Sequence, residues 1–89
     1  MLKIIDFYAN WCSPCVTMDP IVEELSKELK GRVEFERIDV DKNSEAAGKY
    51  DVGSIPTFVI LKNGKEIGRI VGYRGKTQFK QIIETRIGD

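Results

Sequence analysis

A mostly apolar run at positions 2–8 leads through Ala9 and Asn10 into Trp11-Cys12-Ser13-Pro14-Cys15, and that pentapeptide opens a stretch with helical spacing. A strand feeding a helix through so short a turn puts both sulfurs at the helix start. Two thiols three residues apart can close a small disulfide ring, and a thiolate at a helix N-terminus is stabilised by unpaired backbone N–H groups and the helix dipole. These are the only two cysteines in the chain, so no second pair completes a four-ligand zinc site. The pentapeptide therefore reads as a dithiol redox pair. The competing readings are a purely structural disulfide and half of a metal site completed by a second chain.

Within the redox reading the spacing orders the two sulfurs. Cys12 is expected as an exposed nucleophile on the first helical turn, and Cys15 as the resolving thiol one turn further in. Position i+3 shares a helix face, so Cys15 can reach the sulfur of a Cys12 mixed disulfide and expel the bound substrate thiol. Ser13 and Pro14 form the turn between them, and Pro14 brings a preset φ and no N–H to waste at a helix start.

Composition bounds the rest. At 89 residues and 42% hydrophobic content, one domain spanning 1–89 is expected, with a single core. Fourteen Lys plus Arg balance fourteen Asp plus Glu, so nothing in the net charge draws the chain to nucleic acid or an anionic membrane. Histidine is absent, which excludes Cys-His and Ser-His-Asp catalysis and histidine metal ligation. No basic, apolar leader precedes Asp6, and no apolar stretch approaches the roughly 20 residues that span a bilayer. A cytoplasmic protein without a membrane partner is expected, although a mature secreted form or a domain of a longer protein would read the same way.

Past the pentapeptide, Met18, Ile21, Val22, Leu25 and Leu29 recur at helical spacing, so a long helix is expected over 13–29, kinked at Pro20 and stopped by Lys30-Gly31. Residues 33–40 read as a strand whose Glu34, Glu36, Arg37 and Asp39 suit a sheet edge, and the two glutamates would discourage edge-to-edge pairing, so a monomer is expected. Ser44 is the candidate cap of a short helix to Tyr50. Apolar residues 58–61 and the run 66–71 flank Asn63-Gly64, a strong hairpin signal. A last helix is capped by Thr77 and buries Phe79, Ile82, Ile83 and Ile87. The order is β-α-β-α-β-β-α, an α/β chain accommodated by one four-stranded mixed sheet with helices on both faces. A right-handed crossover makes the first two strands parallel.

Asp6 is the one carboxylate in the first apolar run. Burial without a partner raises a carboxyl pKa, which makes Asp6 a candidate proton carrier. Met18, Phe35, Phe58 and Phe79 read as core.

Taken together, Asp6-Phe7-Tyr8-Ala9-Asn10-Trp11-Cys12-Ser13-Pro14-Cys15, Pro20, Ile55-Pro56-Thr57, Asp41, Tyr50, Lys62-Asn63-Gly64 and Gly72 resemble the thioredoxin family in register, over residues 2 to 87. The resemblance implies a thioredoxin-like fold that lacks the family's N-terminal strand and helix. It also implies protein-disulfide reductase activity by dithiol exchange, with Asp6 beneath the cysteines helping to deprotonate Cys15. It makes Pro56 a cis-proline that turns the Ile55 backbone toward Cys12, and Trp11, Ile55, Pro56 and Gly72 the substrate-binding rim. Gly72 has the plain alternative of a turn glycine. Partners would be disulfide-containing proteins and a recharging reductase such as thioredoxin reductase. No bound cofactor beyond the Cys12–Cys15 disulfide and no metal is implied.

The chain departs from the family pattern at Tyr8, Ser13, Val16 and Tyr73. Arg37 stands where the family usually has lysine; it either approaches Asp6, holding it ionised more firmly, or points to water. Two alternatives remain at this stage. A glutathione-dependent, glutaredoxin-like enzyme would call for a Cys-Pro-Tyr-Cys motif or a threonine or valine before Pro56, and neither is present. A redox-inert interaction module or metal carrier would use Cys12 and Cys15 only as ligands.

Overall fold

The computed structural model describes residues 1–88. Seven elements follow in the expected order: β1 (Leu2–Tyr8), α1 (Ser13–Glu28), β2 (Val33–Asp39), α2 (Ser44–Lys49), β3 (Thr57–Lys62), β4 (Lys65–Val71) and α3 (Lys76–Ile87). The four strands form one sheet in the order β2-β1-β3-β4. β1 runs parallel to β2 and antiparallel to β3, and β3 runs antiparallel to β4. β1 and β3 are therefore central, which is why both are apolar along nearly their whole length.

Alternation along the two central strands divides the core. Leu2, Ile4, Phe58 and Ile60 face one way and pack against Met18, Val22, Leu25 and Leu29 of the α1 segment and Phe79 and Ile83 of α3. The Phe58 and Phe79 rings meet at 4.7 Å between centroids, tilted by 57°. Each such fully buried side chain contributes about 1.5–3 kcal/mol, which explains how so small a sheet is held. Ile5, Phe7, Val59 and Leu61 face the other way, against Ala46, Ala47 and Tyr50 at α2. Asp6 shares the first face by alternation, so the sequence buries a carboxylate on the side covered by α1.

The hairpin turn has left-handed backbone at Asn63 (φ 54°) and Gly64 (φ 80°), the pair of positive φ values for which Asn-Gly is selected. The helix starts differ from expectation. α2 is capped by Asn43, whose side-chain oxygen accepts from the Ala46 N–H at 3.1 Å, and Ser44 is the first helical residue. Asn and Ser cap about equally well, so composition alone could not choose between neighbours. Gly75, not Thr77, is the N-cap of α3, and it makes no side-chain capping bond. That helix is tied down from outside instead: Lys76 and Lys80 bond Glu28 of α1, and Lys76 also pairs with Glu24. α1 runs as one helix through Pro20.

Candidate active site

The chain turns sharply after β1. Ala9 is fully buried, and the Cys12 N–H donates to the Ala9 carbonyl at 3.2 Å. Cys12 is the N-cap of α1, with Ser13 and Pro14 opening the helix. It thus sits one residue outside the first turn rather than within it. The cap is made by sulfur: the Cys15 N–H donates to Cys12 Sγ at 3.3 Å. The two cysteines are joined as a disulfide, with Cα atoms 5.3 Å apart.

The expectation of an exposed Cys12 needs correcting. Cys12 is 5% exposed and Cys15 3%, so accessibility does not distinguish them in the oxidised form. Ala9, Tyr8, Val40 and Ile55 pack around the closed ring. What does distinguish them is the backbone N–H aimed at Cys12.

Asp6 is 3% exposed, in the middle of β1 and opposite Arg37 in the β1–β2 register. Arg37 approaches it, donating from Nε to Asp6 Oδ2 at 3.0 Å. A guanidinium at that distance favours the carboxylate, yet burial wins: desolvation pushes the Asp6 pKa up to about 6, against the opposing pull of Arg37. The reason lies in the rest of the arginine. Its Nη2 bonds Asp19 Oδ1 on α1, its carbon centre lies 4.2 Å from the centroid of the Tyr8 ring, and its side chain is 39% exposed. A shared and partly hydrated cation cannot offset the full desolvation of a buried acid. Of the two expectations for Arg37, the approach to Asp6 is the one observed, and its pull favours the carboxylate without overcoming burial.

Around the disulfide, Trp11 is 69% exposed, and its indole N–H donates to Asp41 Oδ2 at 2.8 Å. Trp11, Val40, Val52 and Ile55 line a shallow apolar recess of about 360 Å³. The Ile55–Pro56 peptide bond is cis, as expected. Gly72 has φ +91°, a region that side chains rarely adopt, and its N–H donates to the Pro56 carbonyl at 2.8 Å. A Cβ there would meet nothing closer than Arg74 Nη1 at 3.8 Å, so backbone conformation rather than crowding calls for glycine. That geometry favours the turn reading, with the turn fastened to the Pro56 loop.

Two participants were missed from the sequence, Asp19 and the role of Asp41. Asp19 lies four residues after Cys15, on the same helix face, which was the available signal. Asp41 was noted only as falling in register.

A buried disulfide at the β1–α1 junction, with a buried carboxylate on the same strand of a mixed four-stranded sheet, defines a dithiol–disulfide exchange protein. Comparison with known proteins gives the family. The family model described as Thioredoxin matches residues 1–85. The thioredoxin of Staphylococcus epidermidis is 35% identical over 86 residues, covering 97% of this chain and 83% of that protein, and Staphylococcus aureus thioredoxin is 34% identical over the same length. Among solved structures, Fasciola hepatica thioredoxin superposes with a TM-score of 0.87 at 46% identity, covering 94% of this chain and 79% of that one. A mutant thioredoxin from Halobacterium salinarum gives the same TM-score at 34% identity, covering 94% and 73%. The chain belongs to the thioredoxin family, and its activity is that of a thiol–disulfide oxidoreductase acting on disulfide-containing proteins. No helix among the described residues is long and apolar enough to cross a membrane.

Proposed function

We propose that Cys12 is the attacking thiol and Cys15 the resolving one, with Asp6 as the proton carrier between them. The observation that carries this reading is the Cys15 N–H directed at Cys12 Sγ from the first turn of α1. In the reduced protein that donor and the helix N-terminus favour a thiolate at Cys12 over one at Cys15. The Cys12 thiolate attacks one sulfur of a substrate disulfide, and the other substrate sulfur leaves as a thiolate. Cys15 then gives its proton to the Asp6 carboxylate through intervening water and attacks Cys12 Sγ. The second substrate sulfur departs with the electron pair of the mixed disulfide. Two electrons have passed to the substrate, and the protein is left as the Cys12–Cys15 disulfide. An acid that titrates at about 6 is largely ionised at neutral pH yet basic enough to take a thiol proton.

Trp11 and Ile55 serve as the apolar shoulders of the disulfide in this reading, and an extended substrate segment lies along the Ile55-Pro56 backbone, bounded by the turn at Gly72. The chemistry is carried by sulfur alone and calls for no bound cofactor. The oxidised protein is recharged by a separate dithiol reductase, of which thioredoxin reductase is the fitting type. The protein works as a monomer in the reducing cytoplasm, where the reaction runs toward substrate reduction. Trapping tests the assignment. Cys15→Ser should accumulate stable mixed disulfides through Cys12, whereas Cys12→Ser should accumulate none; efficient trapping by Cys12→Ser would reverse the two roles.

A further inference from the structure

Arg37 is the cation paired with Asp6 among the described residues, and it serves two carboxylates at once. Its Nε donates to Asp6 on β1 and its Nη2 to Asp19 on α1, while Tyr8 lies against the face of the guanidinium. The two pairs differ in setting. Asp6 is buried, whereas the Asp19 and Arg37 side chains are 44% and 39% exposed and line an open cleft of about 310 Å³ between α1 and β2, with Phe35 and Glu23. One fork therefore spans from solvent to the buried acid of the redox site.

We infer that Asp19 is a positioning residue of the redox site: by engaging one nitrogen of the Arg37 guanidinium, it keeps that cation from being committed wholly to Asp6 and so governs how readily Asp6 exchanges its proton. The inference rests on the reading of Asp6 as the proton carrier. Geometry sets the direction of the effect. With Asp19 neutral, the guanidinium loses its outer anchor but keeps its inner one, the stronger because it is shielded from water. The charge that Asp19 shared then goes to Asp6. The direct influence of Asp19 has the same sign, since a nearby anion makes Asp6 harder to ionise. Among the described residues the charged groups acting on Asp6 are Arg37 from β2 and Asp19 from α1, and Tyr8 of β1 lies against the same guanidinium.

Arginine is what makes this arrangement possible. Its planar fork offers separate nitrogens to the two acids, whereas a lysine presents a single compact ammonium. The Asp19 effect should therefore depend on Arg37 in a way that plain repulsion between two carboxylates would not.

The test is a direct titration of the Asp6 side-chain carboxyl carbon by NMR in the full oxidised chain. Four proteins are compared: the native chain, Asp19→Asn, Arg37→Lys, and the double variant. Asp19→Asn should lower the Asp6 midpoint by roughly 0.5–1 pH unit. The same change on the Arg37→Lys background should move it by less than half as much. An unchanged or raised midpoint in Asp19→Asn would overturn the inference. An undiminished shift on the lysine background would also overturn it, since Asp19 would then act by through-space repulsion alone. Failure of the underlying reading looks different: if Asp19→Asn moves the midpoint as expected but Asp6→Asn leaves mixed-disulfide resolution unchanged, Asp19 does control Asp6 while Asp6 is not the proton carrier.

Discussion

Among the carboxylates held by cations at hydrogen-bond distance, Glu28 and Asp6 move in acidity in opposite directions. Glu28, on the surface of α1, receives Lys76 and Lys80, the latter at 2.8 Å; their hydrogen bonds pull its pKa down to about 2. Asp6, in the middle of the sheet, receives Arg37 at 3.0 Å, and its pKa rises to about 6 because burial outweighs the guanidinium. The difference lies in the water each acid keeps. Glu28 gives up little hydration and gains two donors. Asp6 gives up nearly all of its hydration for one donor that is shared with Asp19. The first cluster links two helices. The second keeps a protonatable group buried in the sheet, at a cost in stability.

That cost sets the largest effect expected of a single substitution. A raised folded-state pKa means the native state holds more protons than the unfolded state between about 4 and 6, so stability is highest below that window and falls as pH rises through it. The penalty at neutral pH is on the order of 3 kcal/mol, from a shift of about two units. Asp6→Asn should therefore be more stable than the native chain at pH 7, with the excess vanishing toward pH 4, as measured by urea unfolding across that range. Parallel stability curves for the two proteins would mean that Asp6 is not desolvated as described.

A smaller effect is expected at Gly72. Gly72→Ala forces a side chain into φ +91° and should lower stability by about 1 kcal/mol. Its reductase turnover should change little if the glycine serves the turn, whereas a disproportionate loss of turnover would restore Gly72 to the substrate rim. The smallest effect belongs to the surface cluster. Glu28→Gln should change neutral-pH stability only slightly, and the change should fade at high salt. Its sign is opposite to that of Asp6: a depressed pKa contributes stability that is present at neutral pH and lost as pH falls through the acid range toward 2. A salt-insensitive loss in this variant would show that the α1–α3 link is not an ordinary exposed ion pair.

Much of this architecture was legible in the sequence because it rests on periodicities that tertiary structure reinforces. The apolar runs of β1 and β3, the helical spacing from Met18 to Leu29 and the Asn63-Gly64 turn each point to one local solution, and the element order follows from them. The two cysteines and Asp6 were legible for the same reason, as chemistry out of keeping with its surroundings. What escaped depends on distances between elements. Thr77 reads as a cap until Lys76 and Lys80 are seen to anchor α3 on Glu28. Asp19 reads as an ordinary surface residue of a helix, because its partner Arg37 is eighteen residues away on a strand. The burial of Cys12 comes from Ala9, Tyr8, Val40 and Ile55 closing around it, three of them contributed by β1, its following turn and the residue after β2, and the fourth by the Pro56 loop.

The central claim is that a buried Asp6, only partly restrained by Arg37, takes the proton of Cys15 as the mixed disulfide is resolved. Its most direct test is the single-turnover rate at which a preformed Cys12 mixed disulfide is resolved, followed from pH 5 to pH 8 in the native chain and in Asp6→Asn. The native rate should rise through an inflection near 6, where Asp6 ionises. In Asp6→Asn that inflection should be absent and the rate at pH 7 about 10²-fold lower. Superimposable profiles for the two proteins would contradict the account.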